Sequence, residues 1–270
     1  MQDGSEARHS SRPVVGIIGG SGLYDSGLFS PNTSHRISTP WGAPSGPIEE
    51  GELAGGRVLF LARHGKGHVV PAHKVNYRAN IDALQSLGAE VIIGVNSVGS
   101  LKEELPPGTF VLPDQLVDWT KSRGSSFFEG GRTYHISMAD PFCPTLTKTA
   151  SETARDIGLE IAQGKTYVCV EGPRFSTRAE SRLFRTFADI IGMTASPEAP
   201  LARERQICYL PVCMVTDYDV WADRPVEAAD VVRTLNSNIS RVRELLQAMI
   251  PRIPKERACA CPRALENAAI

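Results

Sequence analysis

Val14-Val15-Gly16-Ile17-Ile18-Gly19-Gly20-Ser21-Gly22 is an apolar run that stops at once in a glycine turn. A short apolar run rich in β-branched residues and closed by glycines is the pattern of a buried strand. The event recurs downstream. Val58 to Leu61 breaks at Ala62-Arg63-His64-Gly65, and Glu90 to Val95 breaks at Asn96-Ser97-Val98-Gly99-Ser100. Three strands are therefore expected to end in polar turns that carry hydrogen-bond donors.

Between the last two, Asn76 to Leu87 places Ile81, Leu84 and Leu87 on one stripe and meets Gly88, which predicts an amphipathic helix. Strands are predicted at Thr166 to Val170, Ile190 to Met193 and Ile207 to Val215, with helices at Ser176 to Phe187 and Glu198 to Gln206. Val226 to Met249 closes the pattern as one or two helices, with Val231, Leu235, Ile239, Val242, Leu245, Leu246 and Met249 facing inward. Alternation of this kind indicates a single α/β domain over residues 13–250, a central mixed β-sheet flanked by helices, with its ligand site beyond the strand ends. Residues 1–12 are polar and are expected to form a flexible leader. Asp118 to Pro144 is irregular in pattern and is expected to supply surface connections that could line a site.

The chain has 270 residues, 41% hydrophobic, with 29 basic against 30 acidic side chains. No global field favours nucleic acid or a membrane surface, and no apolar run reaches the roughly 20 residues of a spanning helix. A small-molecule partner and a cytoplasmic location are expected. The six cysteines lack paired CxxC spacing, so no metal is expected. Cys169, Cys208 and Cys213 read as small core residues. Cys259 and Cys261 form a Cys-Ala-Cys in a polar tail, residues 251–270, where the thiols are either incidental or tied in a disulfide. In a cytoplasmic protein such a bond would point to a thermostable chain.

The glycine run lacks the G-x-G-x-x-G spacing, which argues against a dinucleotide site; glycines here permit close backbone approach to a tetrahedral anion, with Ser21 as donor. Arg63-His64 at a strand end offers a planar fork of donors to phosphate oxygens. The Asn96-Ser97 turn is a third donor set. Asp217 and Asp219 close an apolar strand two residues apart, on one face if the strand continues, and burial with like charge would make a neutral acid available at pH 7. Glu171-Gly172-Pro173-Arg174-Phe175 supplies a turn with an aromatic, and Met193-Thr194 follows another strand.

With GIIGGSGLYD from Gly16, TPWGAPS, ARHGKGH, HKVNYRANI, NSVGSL, PDQLVDWT, HISMADPFC, EGPRFSTRAES, DIIGMT and MVTDYDVW in order, the chain resembles the trimeric purine nucleoside phosphorylases, and within them the methylthioadenosine phosphorylases, from about Val15 to Ile250. The resemblance implies a phosphorylase fold and inorganic phosphate as co-substrate, with no other cofactor. It places phosphate among Ser21, Arg63, His64, Asn96, Ser97, Thr194 and Thr216, the base by Phe175, Asp217 and Asp219, Met193 under the ribose, and His135, Val231 and Val232 near the 5' substituent. The catalytic pair would be Asp217 and Asp219.

Relatives selective for 6-oxopurines carry Asn where this chain has Asp217, so the resemblance implies 5'-methylthioadenosine as substrate, with a broader or 6-oxopurine nucleoside phosphorylase as the alternative. It further implies a homotrimer or homohexamer. The Cys-Ala-Cys tail is similar to that of archaeal members with stabilising disulfides, which makes Cys143 with Cys208, or Cys259 with Cys261, candidate pairs.

Overall fold

The computed structural model describes residues 12–20, 22–23, 27–222 and 226–270, with Asp230 described by its backbone alone. Among the described residues nine strands form one mixed sheet: β1 (Val14–Gly19), β2 (Pro31–His35), β3 (Ile48–Leu53), β4 (Gly56–Ala62), β5 (Ala89–Ser100), β6 (Phe110–Trp119), β7 (Ile161–Val170), β8 (Ile190–Gly192) and β9 (Cys208–Asp217). Five α-helices accompany them among the described residues: α1 (Tyr77–Ser86), α2 (Pro144–Asp156), α3 (Arg178–Phe184), α4 (Ala195–Glu204) and α5 (Ala228–Met249).

β1 is parallel to β4 on one edge and to β5 on the other, and Ile17 and Ile18, on its opposite faces, are fully buried in two separate core clusters, so both faces are covered as well. Beyond β5 the sheet closes on itself. β5 pairs with both β8 and β9, β8 with β7, β7 with β6, and β6 with β9, which makes a five-stranded ring with β1, β4, β3 and β2 as an extension. A closed ring removes the exposed edges that an open sheet would leave on these strands.

The helices follow local rules. Asn76 caps α1 by accepting from the Ala79 amide, and Gly88, at a φ of +91°, ends the turn after it. Thr177 and Glu180 form a reciprocal capping box on α3. α5 lays Val242, Leu245, Leu246 and Met249 into the main core, each buried side chain contributing roughly 1.5–3 kcal/mol. Among the described residues no helix is long and apolar enough to cross a membrane.

Three differences from the sequence reading have physical causes. β5 does not stop at Val95: Asn96, Ser97 and Val98 continue the pairing with β9, and after a register shift between Val98 and Gly99 the last two residues, Gly99 and Ser100, find partners on β8 as well. β2 and β3 are polar edge strands without a clean apolar alternation, and β6 and α2 lie in segments where no periodic pattern stood out. The tail, residues 251–270, is not solvated throughout. Ile253 and Cys261 join the main core, the Gln206 side chain donates to the Pro262 carbonyl, and the Arg257 guanidinium donates to the Gln206 carbonyl at 2.8 Å.

Candidate functional site

The predicted site residues gather where β1, β4, β5, β8 and β9 end. Arg63 follows β4, and its amide donates to Gly19 at the end of β1 at 2.9 Å. The residue is 2% exposed and its guanidinium points inward. Nε donates to Glu198 Oε1 at 2.5 Å, Nη2 to Glu198 Oε2 at 3.0 Å and to the Ile18 carbonyl at 3.4 Å, and Nη1 to the Val95 carbonyl at 2.9 Å. The planar fork expected to meet phosphate is therefore matched to a carboxylate of α4. Of the five N–H groups of a guanidinium, this leaves one on Nη1 for a ligand oxygen. Burial opposes the charge of Arg63, but Glu198 outweighs it and holds the group protonated.

Glu198 is fully buried and also accepts from the Tyr209 hydroxyl at 2.7 Å. Gly94 makes this set possible, since a Cβ there would lie 2.4 Å from the Tyr209 oxygen. Sequence reasoning passed over both Glu198 and Tyr209. A lone Glu at a helix start reads as a cap, and only the long-range contact reveals its partner.

His64 sits beside Arg63 with Nδ1 2.9 Å from the Val70 carbonyl. Burial, then the Arg63 charge, brings its pKa down to about 3, so the ring is neutral at pH 7. Neutral imidazole has one N–H, and the Val70 carbonyl can only accept it, so Nε2 is left as an acceptor. On β5, Asn96 and Ser97 stand on opposite faces by strand alternation. Asn96 accepts from the Thr194 hydroxyl at 3.1 Å, and so positions Thr194, where α4 begins.

Asp217 ends β9. Its Oδ1 accepts from the Asp219 amide at 2.9 Å and its Oδ2 lies 2.8 Å from the Thr216 hydroxyl, which also has the Val98 carbonyl within 3.2 Å. The two aspartates do not share a strand face as the i, i+2 spacing suggested. β9 stops at Asp217, and Asp219 opens a 3-10 turn with a φ of +34°, which turns its amide back toward Asp217. Burial raises the pKa of both carboxyls. Gly99 leaves room for them: a Cβ there would be 2.9 Å from Asp217 Oδ1 and 3.5 Å from the Asp219 Cβ.

Gly172, at a φ of +68°, carries the Glu171–Phe175 turn against Met193, whose sulfur would lie 2.6 Å from an added Cβ. Phe175 is 40% exposed. Arg123 binds these pieces together. Its Nη1 donates to the carbonyls of Met193 and Ser196, both at 2.6 Å, and its Nη2 to those of Val170 and Glu171, at 3.2 and 2.6 Å. It comes from the irregular stretch after β6, where no periodicity could single it out.

Not all predicted residues join this cluster. Ser21 lies outside the described residues. Val231 and Val232 are on the first turns of α5, with Val232 exposed, while Leu235 and Ile239 of the same helix pack over Gly22. His135 is exposed and its amide donates to Ala268 of the tail at 2.7 Å. The same stretch is tied to the tail again by the Tyr134–Ala269 bridge and, further back, to the end of α4 by the Phe127 amide, which donates to Glu204 at 2.7 Å.

The phosphorylase superfamily profile matches residues 14–251. The chain is 54% identical over 255 residues to the S-methyl-5'-thioadenosine phosphorylase of Pyrococcus furiosus, covering 94% of this chain and 98% of that protein. It is 50% identical over 266 residues to the enzyme of the same name from Saccharolobus solfataricus, covering 97% and 98%. A crystal structure of a methylthioadenosine phosphorylase from an antarctic soil metagenomic library superposes with a TM-score of 0.90 at 42% identity, over 96% of this chain and 93% of that one. An adenosine/methylthioadenosine phosphorylase mutant from Schistosoma mansoni, in complex with methylthioadenosine, gives 0.88 at 34% identity, over 95% and 97%. Because the profile runs through the entire sheet and relatives at half identity extend over nearly the full chain, this chain belongs to the phosphorylase superfamily.

Proposed function

We propose that the chain cleaves 5'-methylthioadenosine with inorganic phosphate, giving adenine and 5-methylthioribose 1-phosphate. The observation that carries the reading is Asp217, a carboxyl raised by burial at the end of β9, beside the strand ends where Arg63, His64 and Thr194 stand. A phosphate oxygen forms the bond to the anomeric carbon as the bond to purine N9 breaks and its electron pair passes to the base. The ribosyl group gains positive character, which the phosphate anion stabilises. The departing base is neutralised by a proton at N7.

Asp217 is suited to give that proton. When the Thr216 hydroxyl turns to the Val98 carbonyl, Oδ2 is free to carry hydrogen, while Oδ1 stays held by the Asp219 amide. Adenine offers N7 as acceptor and a 6-amino donor beside it, which matches a carboxyl with one donating and one accepting oxygen; a 6-oxo group would face it with a second acceptor. Arg63, His64, Thr194 and Thr216 hold phosphate in this reading. Arg63 contributes one N–H and a fixed charge, and neutral His64 Nε2 accepts from a protonated phosphate oxygen.

A homotrimer or homohexamer fits the exposed apolar surface of Trp119, Leu183 and Phe187, with Trp119 and Phe187 stacked at 6.0 Å. Such an assembly also gives the exposed His135 segment a neighbouring copy to reach. The test is adenine release from methylthioadenosine with and without phosphate, beside a panel of adenosine, inosine and guanosine. Turnover dependent on phosphate and highest kcat/KM for methylthioadenosine are expected; turnover unchanged without phosphate or arsenate would sink the reading.

A further inference from the structure

The turn that follows β9 is held in place by groups that take no part in the chemistry. Asp219 is a non-glycine residue at a φ of +34°, a conformation that persists only where the surroundings over-determine it. The Trp221 indole N–H donates to the Ser100 carbonyl, at the end of β5, at 2.7 Å. The same ring has two further neighbours: the Arg185 guanidinium carbon stands 3.9 Å from its centroid, and Tyr218 meets it edge-on at 5.4 Å. Arg178 of α3 donates to the carbonyls of Val220 and Ala222, at 3.1 and 3.2 Å.

We propose that Trp221 is a positioning residue for base selection: it pins the turn to the end of β5 and so fixes the Asp219 amide that holds Asp217. The inference rests on the reading of Asp217 given above. The chain of contacts is short. Asp217 Oδ1 accepts from the Asp219 amide at 2.9 Å, and Asp219 and Trp221 are the first and last residues of one 3-10 turn. Three residues leave little slack between the anchored indole and the amide. Adjacent residues of β5 serve both ends of this arrangement, since Gly99 leaves room for the Asp217 carboxyl and Ser100 takes the indole N–H.

The anchor is itself well supported. Ser100 is fully buried, its hydroxyl donates to the Lys102 carbonyl at 2.6 Å and the Lys102 amide lies 3.1 Å from the same oxygen. Arg185 Nε donates to the Leu101 carbonyl at 3.0 Å, and Lys102 Nζ to the Arg185 carbonyl at 2.9 Å, so the cation over the indole is tied to the strand end that the indole grips. Trp221 also packs against the buried cluster that contains Leu101, Phe184 and Ile191. Indole meets all of these demands at once, with an apolar body for the cluster, a π face for Arg185 and one N–H for the carbonyl. A tryptophan that only filled this cluster would stabilise the fold without affecting selectivity. One that sets Asp217 must alter which base is accepted.

The test compares full-length Trp221→Leu and Trp221→Phe with wild type by kcat/KM for adenosine and for inosine at saturating phosphate. The ratio of the two cancels the fraction of active enzyme, so destabilisation alone does not move it. Trp221→Leu should lower kcat by roughly 10–100-fold, reduce the adenosine-to-inosine ratio by about fivefold or more, and leave KM for phosphate within about twofold. Trp221→Phe keeps the ring and loses only the N–H, so it should shift the ratio the same way by about twofold, and it serves as the test if the leucine variant does not fold. Added to Asp217→Asn, neither substitution should change the ratio further, because each acts through that carboxyl. If Asp217→Asn shifts the ratio but the Trp221 variants do not, or if they shift it equally in the Asp217→Asn background, the proposal is overturned and Asp217 keeps its role. If Asp217→Asn leaves the ratio unchanged, the reading of Asp217 fails and the proposal fails with it.

Discussion

Glu198→Gln keeps the shape of the side chain that grips Arg63 and removes its charge. In the structure Glu198 is fully buried, receives two guanidinium bonds at 2.5 and 3.0 Å and a third from the Tyr209 hydroxyl at 2.7 Å. A glutamine can accept through one atom only, and its NH₂ would face the N–H donors of Arg63 and the hydroxyl of Tyr209. The buried guanidinium keeps its charge without a counter-charge. Breaking a buried pair by removing one partner costs about 3–5 kcal/mol. At about 2–4 °C per kcal/mol for a chain somewhat smaller than this one, Tm should fall by roughly 6–20 °C. Arg63 should also swing from its set position, so KM for phosphate should rise several-fold with KM for the nucleoside less affected. Calorimetry and initial rates at varied phosphate measure both. An Arg63→Met/Glu198→Gln double variant should be destabilised by less than the sum of the two singles, because no unpaired charge is left inside. A Tm change under about 2 °C with an unchanged KM for phosphate would refute this account of how Arg63 is held.

Asp217→Asn should lower kcat/KM for methylthioadenosine by about 10²–10⁴-fold and move relative preference toward inosine, measured on the nucleoside panel. The protonated carboxyl is the active form, and burial raises its pKa, so wild-type kcat should fall as pH rises through that raised value. The Asn variant should lack this alkaline limb. Gly99→Ala puts a Cβ 2.9 Å from Asp217 Oδ1, and displacing that carboxyl by about 1 Å should cost about 10²-fold in kcat, seen in rates at saturating substrate. Arg123→Ala strands four carbonyls and should speed hydrogen exchange at 170–176 and 193–196 while raising KM for the nucleoside. Unchanged exchange there would remove Arg123 from the site's support.

The elements legible in the sequence were those whose pattern is local. β1, the strand that carries Val58 to Leu61, α1 and β9 all show an apolar run or a helical stripe ending in glycine or a polar turn. The Arg63, Asn96, Thr194 and Asp217 neighbourhoods could be located from strand ends alone. What could not be read were relations between distant residues. The Arg63 fork pointed to an anion in the sequence, and in the fold two of its N–H groups are matched to Glu198, a residue 135 positions later, and two more to backbone carbonyls. Asp217 and Asp219 have the spacing of a strand face, yet a positive φ at Asp219 breaks it. The tail gave no local sign that Cys259 Sγ lies 3.4 Å from Cys208 Sγ, because the two are 51 positions apart.

The ring of β5, β8, β7, β6 and β9 also bears on the order in which the protein can be made. β5 leaves the ribosome early, but its pairing with β9, from Val91 with Cys208 to Gly99 with Asp217, joins residues more than a hundred positions apart. Contacts of such range form late and slowly. The strand that bears Asn96 must therefore wait, with one edge unpaired, until β9 has been synthesised, and the residues that meet at the strand ends become neighbours only then. Truncation before β9 should leave a nascent chain with an adhesive strand and no anion pocket, which makes this interval in synthesis the one most exposed to aggregation and to chaperone binding.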